Sequence, residues 1–133
     1  MKGDFTRFTH RPDQHFRAVL KQQGRVDLDA DWNEQVAIRD RIERVTTADV
    51  IGACGVPEHG GGFALGLSGD GLDLTLSAGR IYVDGILCEL EAASSYATQP
   101  HWPAPDALIE GAARTDLVYL DVWERHVSAV EDP

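Results

Sequence analysis

Three aspartates at alternate positions, Asp27, Asp29 and Asp31, run into Trp32, Asn33 and Glu34 in the stretch QQGRVDLDADWNEQ. Carboxylates at that spacing suggest a cation site first. A D-x-D-x-D run opens a calcium loop, which also needs glycine at its sixth position and glutamate at its twelfth. Counted from Asp27, those positions hold Trp32 and Ile38, so the pattern fails at both. Backbone chemistry explains more. In an extended segment Asp27, Asp29 and Asp31 share one face and Val26, Leu28 and Ala30 the other. Asp31 then caps a helix, and Glu34, three residues on, bonds back to the cap as in a capping box with Asp in place of Ser or Thr. The helix dipole favours acid at the same place. The expectation is a helix cap made by Asp31 and Glu34, with no metal.

The other chemistry-bearing residues offer no constellation. His10, His15, His59, His101 and His126 lack metal spacing such as HExxH and read as solvated. With 22 acidic residues, no carboxylate pair can be singled out as an acid/base couple. Cys54 and Cys88 have no base beside them in sequence, so a catalytic thiol is not indicated. HGGGFALG has glycines like those of an oxyanion loop, but the accompanying G-x-S-x-G elbow is missing, and GLSGDG has the wrong spacing. No GK[ST] phosphate loop occurs. The sequence therefore predicts no enzyme and no cofactor. Aromatic residues admit two readings each. Phe5, Phe8 and Phe16 anchor a partner subunit or pack on their own body. Trp102, among Pro100, Pro103 and Pro105, stacks on carbohydrate or pins its own loop, and the pin is the expectation.

The elements that must position these residues fit one domain of 133 residues. A chain of this size can bury roughly two-thirds of its unfolded surface. No apolar run approaches the roughly 20 residues of a membrane-spanning helix, and MKGDFTRF is followed by no signal-peptide core. Two distant cysteines fit a reduced cytoplasmic protein better than a disulfide scaffold. Net charge is −10, unevenly spread: residues 1–25 hold six basic and two acidic side chains, and residues 26–133 hold six basic and twenty acidic. An acidic body repels nucleic acid. A basic arm on it is suited to lie on that body or on an acidic neighbour.

The expected fold class is α+β: a short N-terminal arm, then one long amphipathic helix over about 32–51, packed on a mainly antiparallel β domain. Residues 1–25 form the arm, with a short helix from about Pro12 that carries Phe16, Val19 and Leu20 and stops at Gly24. Residues 26–133 form the helix and β domain. Trp32, Val36, Ile42, Val45 and Ala48 fall near one helix face, with Ile38 at its edge; Arg39–Glu43 and Asp40–Arg44 pair on the other, and Gly52 ends the helix. Ten glycines between Gly52 and Gly85 imply tight turns between short strands. GLDLTLSAG alternates as a half-buried strand, and GRIYVDGILCELE is a hairpin turned at Asp84-Gly85. TDLVYLDVWERHVSAV is apolar on both faces and reads as a central strand. The chain then stops at EDP, as the front part of a longer polypeptide would.

Four stretches taken in order, MKGDFTRFT, QQGRVDLDADWNEQ, GRIYVDGILCE and DLVYLDVWERHV, resemble the N-terminal region of an uncharacterised bacterial family found with baseplate genes of phage-tail-like contractile injection systems. YVDGILCE is also similar to a hairpin of N-terminal domains in phage baseplate and tail-fibre proteins. The resemblance implies a structural baseplate component or adaptor. A second reading is the attachment domain of a receptor- or glycan-binding spike or fibre, and a third is a cell-wall or glycan hydrolase. Implied partners are other baseplate or fibre subunits, in a symmetric homo-oligomeric assembly, without nucleic acid or membrane insertion; the implied location is the cytoplasm, within an assembled particle, or outside the cell after that particle's release. The expected partner-binding residues are Phe5, Arg7, Phe8, Phe16, Arg25 and Trp32.

Overall fold

A computed structural model of the chain describes residues 5–102 and 115–132. Pro103 and Pro105, part of the expected proline-rich loop, lie outside the described residues. One helix and two small antiparallel sheets make an α+β arrangement, in which the helix contacts β1 of the first sheet.

Helix α1 spans Asp29–Ile51, 23 residues. It begins ahead of the expected Trp32. Leu28 holds the N-cap position in extended conformation, and the Asp31 N–H already donates to the Leu28 carbonyl at 3.0 Å. Asp29 and Asp31 therefore lie within the first turn, and no side chain caps the helix. The capping box of Asp31 and Glu34 is not formed, and the three aspartates do not share one face of an extended segment. A physical reason is burial: helical winding from Asp29 turns Ala30 to the inside, where it is one of the two buried apolar residues of the described chain. The other, Ile38, is only 1% exposed.

Ile38, expected at the edge, is the centre of the buried face. Trp32 and Val36 lie about 120° and 160° round the helix from it, and Arg39 and Glu43, expected on the opposite face, fall on the same side as those two; all four are exposed. Ile42 and Ala48 are half-buried, while Val45 is exposed. Arg44 reaches across to Glu124 at 3.1 Å instead of pairing along the helix with Asp40. The C-terminus follows expectation. Gly52 adopts φ 93°, and its N–H donates to the Ala48 carbonyl at 2.8 Å.

Before α1, the short helix is reduced to a 3₁₀ turn, Pro12–Gln14. His15 ends it with φ 56°, a left-handed conformation that helical winding cannot pass through. Phe16 and Leu20 beyond it are exposed.

The first sheet has the order β1-β4-β5, from Cys54–Gly55, Gly79–Val83 and Ile86–Leu90. The second has the order β2-β3-β6, from Leu65–Leu67, Leu74–Leu76 and Ser94–Ser95. β4 and β5 form the expected hairpin, with Val83 opposite Ile86 and only Asp84 and Gly85 between them. Both turn residues have positive φ, 48° and 78°, as a type I′ turn requires. The hairpin tip packs tightly on the helix: a Cβ on Gly85 would stand 2.3 Å from the Arg44 carbonyl oxygen. Directly opposite residues of an antiparallel pair share a face, so Cys54, Val83, Ile81 and Cys88 lie on one side of the first sheet. Cys54 and Cys88 are both free. Two strand spacings, roughly 10 Å, separate their backbones, beyond disulfide reach.

The expected central strand is not one. Residues 115–128 belong to no sheet, and among the described residues no backbone–backbone hydrogen bond involves 117–127. Leu117, Tyr119 and Trp123 stand exposed along one side, Val118 and Leu120 along the other. Among the described residues, the β5 edge beside Glu89 also has no neighbouring strand.

Candidate interaction surface

The N-terminal arm is strapped across the first turns of α1. The Thr6 hydroxyl donates to Asp29 Oδ2 at 2.9 Å, and Asn33 Nδ2 donates to the Thr6 carbonyl at 2.8 Å. The Thr9 hydroxyl donates to Glu34 Oε2. Farther along, the Val19 N–H donates to Gln35 Oε1 at 2.8 Å. Glu34, expected to close on its own helix, thus fastens the arm instead. Asp29 and Asn33, one turn apart, present their side chains to the same threonine. Sequence spacing pointed to the aspartates but not to Asn33 or to either threonine, since nothing local announces a bond between residues 23 to 27 positions apart.

Of the expected partner-binding residues, the arm brings two together. The Phe5 and Phe8 rings meet edge to face at 5.8 Å, and Phe5 also meets His126 at 4.8 Å. Such pairs add about 0.5–1.5 kcal/mol to the burial they accompany. The arm thus lies on its own body, one of the two readings left open by its charge. Arg7, with φ 48°, lines a recess of about 130 Å³ together with Thr6, Asp27, Leu28, Asp29 and Ala30, so one basic and two acidic residues border one hollow. Arg25 is exposed just after the Gly24 turn, and its N–H donates to the Gln22 carbonyl at 3.3 Å. Phe8, Phe16 and Trp32 remain exposed, and neither Phe16 nor Trp32 makes a ring contact. The six residues are not one cluster: Phe5, Arg7 and Phe8 belong to the strap, while Phe16, Arg25 and Trp32 lie along its exit and the helix.

The glycine-rich stretches prove structural. Gly61 and Gly62 cross over Gly79 so closely that a Cβ on Gly62 would stand 2.5 Å from the Gly79 Cα. The crossing is held by Gly62 N–H to Arg80 O and Arg80 N–H to Gly60 O, both 3.2 Å. Ser68 of GLSGDG donates its hydroxyl to Asp70 and accepts the Asp73 N–H at 2.9 Å, closing the β2–β3 turn. The Ser68 hydroxyl first, and the Leu72 N–H second, hold the Asp70 carboxyl below its ordinary value. His10 departs from the solvated reading, for both ring nitrogens are covered without a protein partner. Trp102 is 61% exposed, and the residues of the loop after it lie outside the described residues; the ring contact nearby joins His101 to Trp123 at 6.0 Å.

Among the described residues, no group of three or more His, Cys, Asp or Glu side chains is gathered closely enough to hold a metal ion. No described helix is long and apolar enough to cross a membrane. The described residues present a surface of exposed aromatic and aliphatic side chains.

Residues 1–133 match DUF6519, a family of unknown function. The chain belongs to that family. No curated protein and no solved structure matches the chain.

Proposed function

We propose that this member of DUF6519 is a structural docking module, a baseplate component or adaptor of a phage-tail-like contractile injection system that holds peripheral parts to the particle. The observation that carries the reading is how many large apolar side chains the chain leaves exposed, Leu20, Trp32, Val50, Leu67, Leu117, Tyr119 and Val130 among them. Its accessible surface is 10974 Å², against about 6,900 Å² for a compact monomer of 14.6 kDa. Exposed apolar side chains in such number are what subunits of permanent assemblies present to one another. The unpaired stretch over 117–127 is well suited to it, since its free backbone groups and two apolar faces match the needs of strand addition to a neighbouring sheet. Assembly inside the cytoplasm, as part of such a particle, follows from the same reading.

A second reading, the attachment domain of a receptor- or glycan-binding spike or fibre, is favoured by the exposed Trp102 and Trp123, whose flat rings suit sugar stacking.

The test is co-purification with the products of neighbouring genes. Migration with sheath and tube proteins supports the module, and loss of that migration on Leu120→Asp supports strand docking. A chain that never accompanies those proteins, yet turns over a glycan by itself, sinks the proposal. Removing residues 1–10 separates the two uses of the arm. Because the arm is strapped to its own helix, particle binding is expected to survive the deletion, while thermal stability falls by about 1–3 kcal/mol with the lost hydrogen bonds and ring contacts.

A further inference from the structure

We propose that the solvent side of α1 is a self-complementary surface on which a second copy of the chain docks antiparallel, about a two-fold axis. Trp32, Val36, Arg39, Glu43, Thr46 and Val50 are all exposed. At 100° per residue they fall within an 80° band, roughly, of one helix face. Ile38 and Ala30, the buried residues, lie outside that band. The band therefore turns away from the β domain and is free to meet another molecule.

Its pattern selects the occupant. Place a two-fold axis beside Arg41, near the middle of the helix, and run a second copy of α1 in the opposite direction. Trp32 of each copy then lies level with Val50 of the other, and Val36 level with Thr46. Arg39 of each lies level with Glu43 of the other, which makes two ion pairs of opposite charges, one on each side of the centre. Arg41 itself sits about 180° from the seam, so like charges do not meet on the axis. A two-fold interface requires that each residue's match be present on the same surface, and this one supplies it for an apolar, a mixed and a charged pair at once. A helix of unrelated sequence has no reason to satisfy all three. The helix is 23 residues long, so the contact belongs to the small interfaces, below about 1,200 Å² in total. The expected association is micromolar and gains strength where copies are already held side by side. The inference does not depend on the injection-system reading.

Sedimentation equilibrium of the whole chain across a concentration series measures the dimer. Arg39→Glu and Glu43→Arg are each expected to weaken it by about tenfold, and Arg39→Glu/Glu43→Arg together to restore it to within about threefold. Trp32→Asp removes it, with helix content by circular dichroism unchanged because the side chain is exposed. Direction is read separately in chains carrying Cys54→Ser and Cys88→Ser. Mixing a Val36→Cys chain with a Thr46→Cys chain gives the mixed disulfide in excess over either symmetric one. A chain that stays monomeric at about 100 µM, well above a micromolar constant, overturns the proposal. So does a charge-swapped double variant no better than its parents, or a cross-link pattern favouring Val36 to Val36.

Discussion

At the scale of single residues, glycine does the work that a reader of the sequence is tempted to give to catalysis. HGGG has the composition of an anion-binding loop, yet two of its glycines are needed because one backbone passes over another. Replacing Gly62 with alanine forces the new Cβ to within 2.5 Å of the Ala78 carbonyl oxygen. The expected cost is about 1–3 kcal/mol, measured by urea denaturation. Gly69→Ala, where nothing lies within 4 Å, is the matched control and is expected to change little. The cysteines give a second test. Cys54 is exposed and Cys88 half-buried. Burial first, and the neighbouring Cys54 second, push the Cys88 thiol up. Only the thiolate reacts, so Cys54 is expected to be alkylated by iodoacetamide several-fold faster than Cys88 near pH 8, as peptide mapping of a time course would show. Equal rates would contradict the partial burial of Cys88.

At the scale of elements, the start of α1 separates two accounts of its acidic run. Asp31 in a capping box would cost about 1 kcal/mol on mutation to alanine; within the first turn it acts on the dipole alone, and Asp31→Ala is expected to cost about 0.3–1 kcal/mol, falling with added salt. The vacant cap at Leu28 supplies the sharper measurement. Leu28→Ser places a hydroxyl where the first N–H groups need an acceptor, and a gain of about 0.5–1 kcal/mol in thermal denaturation is expected, less whatever Leu28 contributes by its partial burial. Elements with local causes were legible beforehand. The β4–β5 hairpin follows from Asp84-Gly85, the end of α1 from Gly52, and the strand at Leu74–Leu76 from its alternation. Elements with distant causes were not. The strap depends on Thr6, Asn33 and Glu34 meeting across more than 20 positions, and the rotation of the buried helix face depends on where the sheet lies, which helical spacing cannot report. The segment 117–127 has strand composition and no strand neighbour, because composition describes a residue's needs and pairing depends on what else is present.

At the scale of the whole molecule, size led to an expectation that the chain buries about two-thirds of its unfolded surface, whereas an exposed area of 10974 Å² leaves it burying about half. The denaturant slope follows the area exposed on unfolding, so the urea m-value of the isolated chain is expected to be about a quarter below that of compact proteins of equal length. An m-value at the ordinary level would mean that the chain closes over its apolar surface in solution.

The tight seat of the β4–β5 turn against Arg44 also bears on how the chain is made. On a ribosome adding about 5–20 residues each second, α1 emerges some seconds before Gly79–Leu90. In that interval the helix has only its own hydrogen bonds and the strap to keep it wound, since short helices alone are marginal in water. The hairpin, closed by two residues, then forms within microseconds of leaving the tunnel, so the pace of translation, not of folding, decides how long the helix around Arg44 waits for the turn that seats against it.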